Sequence, residues 1–64
     1  MMNRDIAAGK WKQLKGKVQQ SWGELTDDEF DKIAGSEERF VGLLQERYGM
    51  DKKEAEEEFK KLTH

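Results

Sequence analysis

The side chains able to do chemistry in this 64-residue chain are few. It has no cysteine, which removes thiolate nucleophiles, thiolate metal sites and disulfides together. The one histidine, His64, is the last residue. Chain ends fray, so it reads as an untethered tail and not as a general base or a ligand. Ser21 and Ser36 are the only serines, and neither sits in the G-x-S-x-G turn that raises a nucleophile above a sheet. No G-x-x-x-x-G-K-[S/T] loop is present to cradle phosphates. Asp27, Asp28, Glu29 and Asp31 gather carboxylates. They lack the alternating ligands, mid-loop glycine and distal glutamate of a calcium loop. Carboxylates in the first turn of a helix are favoured by its dipole at about 0.3–1 kcal/mol each, which explains the run without a cation. The expectation is a protein that is not an enzyme, with no catalytic residue, no metal and no cofactor.

The basic residues offer a second kind of chemistry. Residues 1–23 carry Arg4, Lys10, Lys12, Lys15 and Lys17 against Asp5 alone, net +4, whereas the remainder has seven basic and thirteen acidic residues, net −6. A basic helix with interleaved tryptophan can bind nucleic-acid phosphates or an anionic membrane surface. Lys10, Lys12, Lys15 and Lys17 are therefore the candidate partner surface. On a helical wheel Lys10 and Lys17 share one flank of an apolar stripe, and Lys12 and Lys15 the other. Lysines so placed cover the stripe with their methylene stems. An isoelectric point near 5.4 also lies far from the basic profile of most nucleic-acid binders. The lysines read first as solvated flanks, next as contacts to the acidic half of the same or another molecule, and only then as a DNA surface. Trp11 and Trp22, eleven apart on the stripe, read as core and not as a platform for bases.

Stepwise punctuation by Gly, Ser, Thr and Asp, with no proline anywhere, predicts four helical segments that position these residues. Ala7, Trp11, Leu14, Val18 and Trp22 form one narrow stripe at helical spacing. They predict a continuous first helix, with Gly9 and Gly16 facing solvent and Gly23 as a left-handed cap followed by a packed-back Leu25. Thr26-Asp27-Asp28-Glu29 matches a capping box and opens a second helix bearing Phe30, Ile33 and Ala34, ended by Gly35. Ser36 caps a third helix carrying Phe40, Val41, Leu43, Leu44 and Tyr48 to a stop at Gly49. Asp51-Lys52-Lys53-Glu54 opens a fourth, with Ala55, Phe59 and Leu62 on one face and Glu56–Lys60 and Glu57–Lys61 pairs at i,i+4. Short loops force sequential neighbours together, giving two helical hairpins around the tryptophans and phenylalanines. Leu, Ile, Val and Phe number twelve, close to the composition of disordered chains, yet the net charge of −2 is small and the apolar positions are periodic. A single domain spanning residues 1–64 follows. No signal-peptide run occupies Met1–Lys10, and no eighteen apolar residues are consecutive, so the expected location is cytoplasmic with no membrane span.

Two stretches in register carry a family resemblance. Gly9-Lys10-Trp11-Lys12-Gln13, Lys15-Gly16-Lys17 and Trp22-Gly23-Glu24-Leu25-Thr26-Asp27-Asp28 form the first. Ile33-Ala34-Gly35, Val41-Gly42 and Gln45-Glu46-Arg47-Tyr48-Gly49 form the second. Together they resemble the CsbD-like family of small bacterial general stress proteins over nearly the whole chain, tapering after about Ala55. The resemblance implies an all-α fold of four short helices in two roughly orthogonal hairpins, a SAM-like bundle. It also implies expression under osmotic, acid or starvation stress. It supplies no catalytic or binding residue, so Trp11, Trp22, Arg47 and Tyr48 transfer only as motif positions. The expected function is a stress-induced, non-catalytic protein acting by stoichiometric contacts or as a hydrophilic protectant, with an unknown protein partner, as a monomer or weak dimer. The alternative is a weak nucleic-acid-binding module using the lysine-rich first helix.

Overall fold

The apolar stripe of the N-terminal segment folds as two helices and not one. The computed structural model describes residues 5–62, so Arg4 and His64 lie outside the described residues. Within it α1 (Ala8–Gln13) and α2 (Lys15–Ser21) are parted by Leu14 at φ −87° and ψ 0°. The Leu14 N–H reaches back only three residues, to the Trp11 carbonyl at 3.0 Å, and the regular ladder resumes with Val18 N–H on the Leu14 carbonyl at 2.8 Å. With α3 (Asp27–Ile33), α4 (Glu37–Tyr48) and α5 (Lys52–Leu62), the expected four helices become five. The protein is all-helical, with no strand among the described residues. The break has a physical cause. Gly9 and Gly16 on either side weaken helix propensity, so tertiary packing of Trp11, Val18 and Trp22 overrides the ideal geometry with one tightened turn.

Two further expectations in this segment are corrected. Ala7 is exposed, standing at the N-cap position of α1 and not on the buried stripe. Gly23 does not take a left-handed conformation. The chain leaves α2 at Trp22 itself, at φ −128° and ψ 78°, which lets that ring sink into the core. Leu25 does pack back, buried, with its N–H on the Trp22 carbonyl at 3.0 Å.

The remaining boundaries follow local chemistry. Thr26 and Glu29 form the reciprocal capping box of α3. Ser36 Oγ accepts from Arg39 N–H at 3.3 Å, Gly49 ends α4 at φ 65°, and Asp51 Oδ1 accepts from Glu54 N–H at 2.7 Å. On α5 the expected Glu57–Lys61 pair is replaced by Glu58–Lys61 at 3.3 Å, because i,i+3 neighbours on a helix are also within reach. Ala34 at φ 50° and Gly35 at φ 82° turn the chain between α3 and α4. Here glycine is required for a second reason: Ile6 N–H donates to the Gly35 carbonyl at 2.8 Å, and a Cβ on Gly35 would lie 2.0 Å from the Ile6 carbonyl oxygen. Asp5 Oδ1 accepts from Glu37 N–H at 3.0 Å, so the N-terminal segment is strapped across the start of α4.

The core is an aromatic chain. Trp11 stacks on Phe30 with centroids 4.4 Å apart and planes 10° from parallel, and its indole N–H donates to the Phe30 carbonyl at 2.9 Å. Trp11 and Trp22 both meet Phe40 edge-on, at 6.2 and 5.2 Å, and Phe40 leans on Phe59 at 5.4 Å. Val18, Leu44 and Ala55 fill the space between, and no polar or charged side chain is buried among the described residues. α4 is the hub, packing most extensively against α5 and also against α3.

This packing sets the sign of three substitutions. Trp11→Phe removes the indole donor and leaves a gap beside Phe30, and lowers unfolding free energy by about 2 kcal/mol in urea titration. Gly35→Ala costs about 2 kcal/mol or more by the same measurement, through strained φ and the Ile6 collision. Gly16→Ala, with open space around the added methyl, has the opposite sign and adds about 0.5–1 kcal/mol.

Candidate interaction surface

The four candidate lysines do not share one fate. Lys10 and Lys12 occupy the last turn of α1, where positive charge complements the helix dipole. Lys15 and Lys17 lie in the first turn of α2. Lys15 Nζ sits 3.5 Å from Asp27 Oδ1, and Gln19 Nε2, one turn on, donates to the same oxygen at 2.8 Å. The flank bearing Lys15 therefore docks against the acidic first turn of α3, within the same chain. Lys10, Lys12 and Lys17 are exposed and form no ion pair among the described residues. Trp11 and Trp22 are buried, so neither can stack on a base.

A second constellation was not legible in the sequence as a unit. Tyr48 Oη accepts from Glu24 N–H at 3.2 Å, and Arg47 Nη1 donates to the Glu24 carbonyl at 3.4 Å. The other terminal nitrogen, Arg47 Nη2, pairs with the Glu29 carboxylate. Glu29 Oε1 also accepts from Thr26 N–H at 3.1 Å. The two motif stretches, 22–28 and 45–49, thus close on each other: the end of α4 holds the loop between α2 and α3. Only the capping box gave any local signal for this latch.

The same contacts set the acidity of two carboxyls. Asp27 is held below its ordinary value first by the Gln19 hydrogen bond and then by the Lys15 charge. Glu29 is lowered by the Thr26 N–H first and by Arg47 next, with burial opposing them. Neither carboxyl is raised towards neutrality, as a general acid would be.

Between α3 and α4 lies an open groove of about 470 Å³, lined by Glu29, Lys32, Ile33, Arg39, Leu43 and Glu46. Its Arg39 guanidinium donates to the Lys32 carbonyl at 2.9 Å, fastening the α3–α4 turn. It contains no nucleophile paired with a base. Among the described residues no three His, Cys, Asp or Glu side chains converge as metal ligands, and no helix is long and apolar enough to cross a membrane.

A family model described as CsbD-like matches residues 5–57. The chain belongs to the CsbD-like family. The match begins at the strap residue Asp5, spans both halves of the latch and, among the described residues, leaves only the end of α5 outside. Among relatives of this CsbD-like chain, a UPF0337 protein of Bordetella pertussis is 57% identical over 61 residues, 95% of this chain and 92% of the relative. The UPF0337 protein YjbJ of Salmonella typhimurium is 53% identical over 58 residues, 91% of this chain and 83% of its own. Its Escherichia coli K12 namesake is 54% identical over 57 residues, covering 89% and 83%.

The lowered carboxyls give the CsbD-like domain a defined acid response. Folded Asp27 and Glu29 hold protons more weakly than the unfolded chain does, so the unfolded state takes up more protons as pH falls. The stability they contribute is complete above the unfolded carboxyl range and is lost as pH drops through the lowered folded values. The urea midpoint therefore falls as pH drops below the ordinary carboxyl range, and Glu29→Gln, which keeps the capping geometry but not the charge, flattens that fall.

Proposed function

We propose that this CsbD-like protein is a non-catalytic, cytoplasmic module of the bacterial general stress response that acts by stoichiometric contact with a macromolecular partner. One observation carries the reading. The large aromatic side chains are consumed by the core, while three exposed lysines on α1–α2 form no ion pair among the described residues and contrast with the net-acidic α3 and α4. A core joined by stacked and edge-on rings favours a folded contact module over a hydrophilic protectant that works while disordered. The family resemblance supports control by osmotic, acid or starvation stress.

The arrangement belonging to this reading is two roughly orthogonal hairpins of SAM-like kind. α1–α2 with α3 would be one, tied by Trp11 on Phe30 and Lys15 on Asp27, and α4 with α5 the other. We infer a monomer or weak dimer, since the described apolar side chains are largely enclosed. The test is protein abundance, measured by quantitative immunoblot after osmotic, acid and starvation shifts in the source bacterium. A rise of several fold under at least one stress is expected, and constant abundance under all three overturns the stress assignment.

A further inference from the structure

The outward face of α1–α2 combines features that go beyond the helix-dipole role of Lys10 and Lys12. Gly9 and Gln13 on α1, and Gly16 and Gln20 on α2, are all exposed, and each pair lies one turn apart on its own helix, away from the buried Trp11 and Val18. Nothing lies within 4 Å of where a Cβ on Gly9 or Gly16 would stand, so this is a strip of low relief. Its borders are cationic. Lys12 edges one side, Lys10 and Lys17 edge the other, and none of the three is paired among the described residues. Residues 6–23 contain no acidic residue.

We propose that this face binds the phosphate backbone of double-helical nucleic acid, weakly and without sequence preference, which rests on the reading of the protein as a contact module. The chemistry separates this partner from the others a basic surface could take. Protein interfaces are anchored by aromatic, arginine or aliphatic side chains in a desolvated centre and are depleted in lysine. This strip has lysines at its edges and only Gly and Gln between them. Insertion into an anionic membrane needs an apolar face between the cations, and the apolar face of α1–α2 is committed to the core. Single-stranded nucleic acid is held by stacking on exposed aromatics. Both tryptophans and all three phenylalanines are buried, and the Tyr48 hydroxyl is engaged in the latch. Duplex phosphates need only cations on both sides of a close-approach surface, with amides available for further hydrogen bonds. α3 and α4 carry seven acidic against three basic side chains and repel a polyanion, and α5 balances four lysines with four glutamates, so the uncompensated positive charge lies on α1–α2.

The test is fluorescence anisotropy of a labelled duplex of about 20 base pairs titrated with the full chain across a salt series, where three neutralised phosphates give a log–log slope of roughly −2.7 and about a 40-fold loss of affinity between 50 and 200 mM salt. The K10Q/K12Q/K17Q variant is expected to lose the slope and most of the binding, with near-UV circular dichroism unchanged. K52Q/K53Q, which removes two exposed lysines on α5, keeps both. Amide shifts of the parent protein on adding the duplex map to residues 9–20, a readout independent of any variant. Four results overturn the proposal: no duplex binding at low salt, an unchanged slope in the triple variant, shifts confined to α4 and α5, or tighter binding to polyglutamate or anionic vesicles than to the duplex. Each of these leaves the stress-induction measurement untouched, so the two readings fail separately.

Discussion

The docking of Trp11 on Phe30 is the contact through which the other parts of the fold are placed. α1 has six residues and α2 seven, well below the roughly 12–15 at which an isolated helix is even marginal in water. They exist because their apolar side chains are held elsewhere. The stacked ring fixes how close α1 lies to α3, and the indole N–H fixes where along α3 it sits, since it selects one carbonyl. That carbonyl belongs to the residue whose oxygen also receives the Ala34 N–H at the left-handed end of α3. The same turn presents Gly35 to the Ile6 strap. A single aromatic contact therefore registers α1, the end of α3 and the N-terminal segment together, and Phe40 carries the register on to Trp22 and Phe59. Such pairs contribute about 0.5–1.5 kcal/mol each beyond their buried area, a large share of the margin of a domain this small.

What the sequence made legible was the local chemistry. Thr26 with Glu29, Ser36, Gly49 and Asp51 each act on a backbone group within a few residues, so their types and spacing were sufficient. The breaks that escaped it are set by distant partners. Leu14 reads as a stripe residue, and the flanking Gly9 and Gly16 weaken the helix without saying where it breaks; the position of the interruption follows from where Trp11 and Trp22 must both reach. Gly23 carries the usual sign of a helix stop, but Trp22 takes the non-helical conformation first. Gly35 reads as the stop of a helix that includes Ala34, but α3 ends at Ile33 with the exposed Ala34 as its left-handed cap, and the real constraint on Gly35 is Ile6 pressed against it from near the start of the chain.

The candidate surface was half legible for the same reason. Composition alone isolated Lys10, Lys12, Lys15 and Lys17, and the helical wheel set them in two flanks. It could not show that Lys15 is spent on Asp27, twelve positions away, with Gln19 sharing the same oxygen. Nor could spacing show that Arg47 and Tyr48 reach the backbone of Glu24 across more than twenty residues. Motif membership marked both stretches without saying that they touch.

The latch has a mechanical consequence for the face in front of it. Glu29 accepts from Thr26 and pairs with Arg47, so one carboxylate both starts α3 and ties it to the end of α4. The loop from Trp22 to Thr26 is gripped at Glu24 from the same side. α2 therefore leaves the core through a fastened loop at its C-terminal end and through Lys15 and Gln19 along its flank, which holds its outer strip in fixed orientation. Against that rigidity the fold retains Gly9 and Gly16 at open helical positions, each less favourable than alanine by about 0.5–1 kcal/mol, with no close approach inside the molecule that would require a glycine there. Gly16 on the braced α2 and Gly9 on α1 leave flat positions beside exposed lysines, which is what close approach by an external backbone requires.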